Sequence, residues 1–356
     1  MNGLENIFAW LHTHVKMHEK RRRTLGHLVV SAMLLRGMGV LALGRAMKTD
    51  TSPKHAIKRV WRFLRNDKVE HEAVQRALFE QFIPVEGPIV ILVDWTDLYP
   101  HTQLVFALPR DGRALPLLSI TIAKEGGVGS RIASETQALE RLAAWIPEGR
   151  EVVVVADRGF GNRRWMEGVD ARGWFFVVRL SRNFNVDTEG YMGNLHEMRF
   201  RRPQRPRDYG WGFIGEQAEV EGRLVVQYSR GYAEPWFLTT NLKDAFSTVI
   251  VRYYQRRMWI EAMFRGWKNR QWGMGLDAVR LSQADRHDRL FIVLALAYIF
   301  LCACGAFAEH TGLAQALKAN TRKDRVMTLL RMGRQLLDRQ LCKPKRAFQA
   351  LKALPT

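Results

Sequence analysis

Cysteine is nearly missing from this chain: Cys302, Cys304 and Cys342 are the three thiols in 356 residues. No pair of them has zinc-finger spacing with partner histidines, and so few exclude a disulfide framework as the basis of the fold. The usage suits a reducing, cytoplasmic compartment. Acidic residues are also scarce, 35 Asp and Glu against 55 Lys and Arg, a formal net charge of +20. A field of that sign attracts polyanions and speeds their encounter, so nucleic acid is the expected partner. A generally basic surface is the plainer alternative. Long apolar runs are missing but for residues 290–307, whose 18 residues touch the lower limit for a membrane span. This run follows RHDR in a basic context and reads as a buried core helix, so no membrane is expected. The amino-terminal segment has its basic run after its apolar residues, the reverse of an export signal.

What is present describes a globular protein, with 47% apolar residues. Residues 1–84 read as a helical region without a strand, and residues 1–82 hold 15 Lys and Arg against 7 Asp and Glu. Thr51 or Ser52 can cap a helix whose first turn holds Pro53. Ile57, Val60 and Leu64 then recur on one face, while Lys58, Arg59, Arg62 and Arg65 fall largely elsewhere. That is a helix-turn-helix-like arrangement for DNA contact; an amphipathic helix with a solvated face is the alternative.

The core is expected over residues 85–310. PIVILVDWTD, LVFALP and LPLLSITIAK read as three strands of an antiparallel meander. Residues 130–146 read as a helix, and EVVVVADRGF and GWFFVVRL as two more strands. Strands, a helix and strands again describe a mixed α/β domain. Residues 181–233, rich in Arg and Gly, read as a small β-rich insertion, and the basic run 199–207 is a candidate to lie along DNA. Residues 234–240 read as a strand, followed by a capped helix start at NLKD. One helix is expected over residues 253–272, then the apolar helix. Residues 311–356 read as a basic helical tail.

Three carboxylates suit metal-dependent phosphoryl transfer, which needs acidic ligands converging on hard divalent cations. Asp94 is expected at the end of an apolar strand and Asp157 after VVVVA, with Glu261 arriving from a helix. The intervals are 63 and 104 residues, so each comes from a different element. Asp97 competes with Asp94 for the first place. The plainer readings are strand-end or turn residues for the aspartates, and an exposed ion-pair row with Arg257 or Arg265 for Glu261.

Tyr254, Arg257, Glu261 and Lys268 stand at offsets 0, 3, 7 and 14, so one helical face can present all four. This Tyr-x2-Arg-x3-Glu-x6-Lys pattern, with Asp94 in ILVDWTD and Asp157 in VVVVADRGF, resembles bacterial insertion-sequence DDE transposases of the insertion-sequence-four family. The resemblance spans residues 85–310. It implies a ribonuclease H-like mixed-sheet catalytic domain with Asp94, Asp157 and Glu261 as catalytic and metal-binding residues. The expected ion is Mg2+, with Mn2+ an acceptable substitute.

It further implies recognition of terminal inverted repeats in double-stranded DNA, then cleavage and strand transfer into target DNA in a cut-and-paste reaction. A homodimer is expected in the DNA-bound complex, within the bacterial cytoplasm and on the nucleoid when bound. Arg257 and Lys268 are candidates to neutralise phosphate oxygens, and Tyr254 to meet a displaced nucleotide. Trp236 is a candidate for base stacking, with Trp259 and Trp267 behind it; Arg158 is a further phosphate candidate or an internal ion-pair partner. Two alternatives remain: a ribonuclease H-like nuclease without strand joining, and an inactive or domesticated DNA-binding derivative.

Overall fold

A computed structural model describes residues 5–355, apart from 36, 201–203, 216–219, 233, 319–320, 323 and 340–343. Residues 201–203 of the basic run lie outside the described residues; Gln204 onward opens a strand. The apolar segments build one mixed sheet. β1 (Ile89–Leu98), β2 (His101–Arg110) and β3 (Arg113–Ala123) form the antiparallel meander. β4 (Val152–Ala156) and β5 (Phe175–Arg179) then run parallel to β1. Every side chain of β4 is buried, as a parallel strand covered on both faces requires.

Residues 181–233 supply β6 (Asn185–Thr188), β7 (Tyr191–Asn194), β8 (Gln204–Ile214) and β9 (Val220–Tyr228). They do not stand apart. β9 pairs with β10 (Trp236–Thr240), and β10 pairs antiparallel with β5. The sheet therefore continues across ten strands in the order β3-β2-β1-β4-β5-β10-β9-β8-β6-β7. A separate apolar cluster around Val186, Leu195, Ile214 and Phe237 packs this β-rich half.

Five helices precede the sheet: α1 (Glu5–His14), α2 (Glu19–Leu34), α3 (Val40–Ala46), α4 (Pro53–Arg65) and α5 (His71–Phe82). Val60 and Leu64 of α4 are buried, and Ile57 packs against α3. A Cβ at Gly44 would lie 2.6 Å from the Ile57 Cα, so α3 and α4 approach to backbone contact. Ser52 holds the N-cap position, but its hydroxyl meets His55 Nδ1 at 2.9 Å and makes no backbone capping bond.

α6 (Gly127–Trp145) and α7 (Arg163–Asp170) follow β3 and β4. Beyond β10 come α8 (Ser247–Arg256), α9 (Met258–Lys268) and α10 (Ala284–His310), then α11 (Leu313–Ala316), α12 (Leu329–Asp338) and α13 (Pro344–Ala353). α10 carries the long apolar run. It is long and apolar enough to cross a membrane, yet its apolar window is wholly buried in protein, against α2, α4, α5, β3, α12 and α13. A Cβ at Gly333 would sit 1.8 Å from the Leu301 carbonyl, which shows how tightly α12 lies on α10. One apolar core runs from Ile7 to Leu351, so the basic carboxy-terminal helices are docked.

Three sequence expectations change. Asp94 does not end β1: the strand runs on to Leu98 because β2 keeps pairing with it, whereas the β4 ladder stops at Val93↔Ala156. The expected helix over 253–272 is two helices. Around Arg257 the bonds tighten to i→i−3, from Arg257 N–H to the Tyr254 carbonyl and from Ile260 N–H to the Arg257 carbonyl, and α9 stops at Lys268. NLKD caps no helix: Asn241 instead accepts from Phe176 N–H and donates to Asp170 and the Trp174 carbonyl, and α8 begins at Ser247. The cysteines leave the expectation of no disulfide framework standing: Cys304 is disulfide-bonded, a single cross-link, and Cys302 is a buried free thiol.

Candidate active site

Strand register assembles the acidic site. β1, β4 and β5 are parallel neighbours, paired at Val93↔Ala156 and Ala156↔Val178. The next residues, Asp94, Asp157 and Arg179, therefore fall side by side along the carboxyl edge of the parallel strands. Ligand sites of open α/β sheets form at such edges. Both aspartates are held in the same way: Asp94 Oδ1 accepts the Trp95 N–H at 2.8 Å and Asp157 Oδ1 the Arg158 N–H at 2.7 Å.

The α8–α9 junction brings in the rest. Arg257 Nη2 lies 3.0 Å from Asp94 Oδ2 and 3.0 Å from Asp157 Oδ2, while Nη1 pairs with Glu261. One guanidinium thus sits among the three carboxylates. The Tyr254 hydroxyl donates to Asp157 Oδ1 at 3.3 Å, and the Trp236 ring meets Tyr254 edge-on at 5.0 Å. Trp236 and Tyr254 are both buried, so in this conformation neither offers a ring face to DNA. Trp267 is buried in the core, and Trp259 is partly buried against it.

Charge explains the pairing. Burial pushes the Asp94 carboxyl up to about 6, with Asp157 and Glu261 adding repulsion and Arg257 opposing it. Burial works against the Arg257 charge, but Asp94, Asp157 and Glu261 together hold its pKa above the ordinary value. Burial raises the Tyr254 phenol as well, so it stays a protonated donor. Lys268 is half-buried; burial lowers its pKa against the pull of Asp97, Asp277 and Asp94.

The side chains become more open from Asp94 (16% exposed) through Asp157 (27%) to Glu261 (38%), so the cluster has a mouth on the Glu261 side. There it meets a groove of about 700 Å³ that Trp95, Asp97, Phe264 and Lys268 help to line. Asp97 faces this groove but pairs with Lys124 at 3.2 Å, apart from the three gathered carboxylates. An all-carboxylate donor set is right for a hard divalent ion. As the side chains stand, however, it is drawn onto a guanidinium. Among the described residues no group of three or more His, Cys, Asp or Glu has a metal-holding arrangement.

The other DNA-contact candidates lie elsewhere. Arg158 is exposed beside Asp157, and its guanidinium has no ion pair among the described residues. Lys58, Arg62 and Arg65 are exposed on α4, and Arg59 is half-buried there. Sequence reasoning missed three residues. Arg179 pairs with Glu234 at 3.2 Å, and its charge acts on the Tyr254 phenol against the effect of burial. Glu135 of α6 accepts the Trp95 indole N–H at 3.0 Å, and Arg131 lies over that ring. The signal for Arg179 was available, since it follows the FFVV run as Asp157 follows VVVVA. The Trp95–Glu135 contact joins elements 40 residues apart and left no local trace.

No curated protein matches the chain. A family model described as a transposase DDE domain matches residues 117–300, just over half of the chain. The match includes Asp157, Glu261 and the residues around them; Asp94 lies before it and joins them through strand register and Arg257. The chain belongs to the transposase DDE domain family.

Proposed function

We propose that this protein is a DNA transposase that binds the terminal inverted repeats of its own insertion sequence, cuts the DNA at the ends and joins them to target DNA. The reading carries over the Tyr-Arg-Glu-Lys pattern of the insertion-sequence-four group. A ribonuclease H-like description of the catalytic part is supported by the β3-β2-β1-β4-β5 order with its parallel β1-β4-β5 half. The observation that carries the proposal is the gathering of Asp94, Asp157 and Glu261 around one positive charge at the mouth of a groove.

Asp94, Asp157 and Glu261 are the residues that would hold divalent ions, Mg2+ or Mn2+. When bound, such ions activate the attacking oxygen and stabilise the leaving oxygen of phosphoryl transfer. Arg257 keeps the carboxylates together before loading and is placed to turn toward a phosphate oxygen. Lys268, at the groove, neutralises the DNA backbone beside Glu261. Tyr254 braces Asp157 from the inner side. Trp236 supports Tyr254, and a role in base stacking requires that it leave its present packing. Two DNA ends must be cut together, so the active form is a homodimer on DNA, acting in the cytoplasm.

A strand-joining assay tests this. Duplex carrying the inverted repeats that flank the gene is incubated with a target plasmid and Mg2+. Joined products support the transposase. Nicked ends without joined products point to a nuclease, and binding without cleavage to an inactive derivative.

A further inference from the structure

A second site lies among the amino-terminal helices, well away in sequence from the carboxylates. We propose that the basin between α2 and α4 is a phosphate-binding site that grips the backbone of the DNA duplex. The inference rests on the DNA-transposase reading and deepens it by giving the helical region a specific backbone contact.

The basin encloses about 490 Å³ and draws four cationic side chains together: Lys20 and Arg23 from α2, Lys48 from the α3–α4 connection and Arg59 from α4. One carboxylate, Asp50, shares the lining. Among the described residues none of the four cations is in an ion pair, although their neighbours are: Arg21 pairs with Glu70 and Arg22 with Glu19. Within one turn of α2 the two paired arginines, Arg21 and Arg22, thus lie between the two unpaired cations, Lys20 and Arg23. Crowded like charges cost free energy unless a counter-ion joins them.

The hydrogen-bond chemistry agrees. Thr49 and Thr51 line the basin with their hydroxyls hydrogen-bonded at 2.9 Å, which leaves one hydroxyl proton to donate to a phosphate oxygen. They immediately precede α4, whose free N–H groups and dipole favour an anion at that end. His27 lies beneath; burial, then Arg23 and Arg59, lower its pKa, so the basin draws its charge from the four Lys and Arg side chains. The favoured phosphate source is a duplex, because the exposed Arg62 and Arg65 continue the basic surface along α4 beyond the basin. Cations and hydroxyls that meet phosphate oxygens position a duplex without reading its sequence.

The test compares wild-type protein with Arg23→Gln/Lys48→Gln and with a charge-matched control, Lys16→Gln/Lys68→Gln, whose exposed lysines lie outside the basin. Fluorescence anisotropy measures duplex affinity from low to moderate salt, and unfolding midpoints confirm that all three proteins fold. Two lost phosphate contacts should weaken binding about 10-fold at moderate salt and reduce the salt slope by about 2, on inverted-repeat and unrelated duplex alike. The control should stay within about 2-fold of wild type by the same reasoning. An unchanged slope in the basin variant overturns the proposal while leaving the transposase reading intact. Stabilisation of wild type, but not the variant, by inorganic phosphate with an unchanged DNA slope also overturns it, in favour of a free-phosphate site. A wild-type protein that binds no duplex overturns both readings.

Discussion

The acidic cluster and the amino-terminal basin handle charge in opposite ways. In the cluster one guanidinium is surrounded by three carboxylates, and each charge already has a partner. In the basin four cations surround one carboxylate and none is paired among the described residues. The first arrangement gives every group a partner but leaves carboxylates in excess of the one cation, so an incoming metal ion meets surplus negative charge and must displace Arg257 to reach it. The second is incomplete and is filled by an outside anion. A protein that holds DNA in one place and cuts it in another needs both: attraction where it docks, and reactive carboxylates held by an internal cation until metal and DNA arrive.

The comparison breaks first at the carboxylates. Asp94→Ala, Asp157→Ala and Glu261→Ala should each lower end cleavage by about 10³-fold or more, because metal-assisted charge stabilisation is worth several kcal/mol. Duplex affinity, measured by anisotropy, should stay within about 3-fold, since docking charge lies elsewhere. Cleavage and binding falling together would merge the two sites into one.

Arg257→Ala should have the next largest effect. It leaves three carboxylates without their shared counter-ion. Removing one partner of a buried ion pair costs about 3–5 kcal/mol, and the partial exposure of Glu261 reduces that figure. Scanning calorimetry without metal should show a midpoint lowered by several degrees. Added Mg2+ should recover more of the loss in the variant than it adds to wild type.

On the basin side, Arg59→Gln/Arg62→Gln should weaken end binding by about 10-fold and lower the salt slope by about 2, with an unchanged unfolding midpoint. Unaltered binding would remove α4 from the DNA contact.

The smallest effect concerns neither charge cluster and serves as a reference. Burial pushes the Asp288 carboxyl, which accepts from the Thr121 hydroxyl, up to about 7 from 3.8. The folded state therefore keeps a proton that the unfolded chain loses, and stability declines as pH rises from about 4 to 7. Asp288→Asn removes this titration while retaining an oxygen that accepts from Thr121. Its midpoint should vary less than that of the wild type over that window, by a few degrees.

Much of this was legible because the signals were local. Four consecutive valines before Asp157 mark a strand buried on both faces, and the spacing of Tyr254, Arg257 and Glu261 survives a break in the helix. Asp94 was found for a partly mistaken reason. Its strand does not end there, but its pairing with β4 does, and the pairing partner of a strand is not written in the strand. The position of Arg257 was out of reach for the same reason: it depends on β1, β4 and α9 meeting, across 163 residues for its bond to Asp94. The basin was half visible. Sequence periodicity marked Arg59, but only the crossing of α2 with α4 selects Lys20 and Arg23 and leaves Arg21 and Arg22 to carboxylates.

The most direct test of the central claim follows end cleavage by wild-type protein while divalent metal is removed and returned. The account predicts intact duplex binding but no cleavage in chelator, cleavage on adding Mg2+ or Mn2+, and no recovery in Asp157→Ala at any metal concentration. Cleavage that persists in chelator, or that returns fully in Asp157→Ala, would contradict a metal-loaded carboxylate centre.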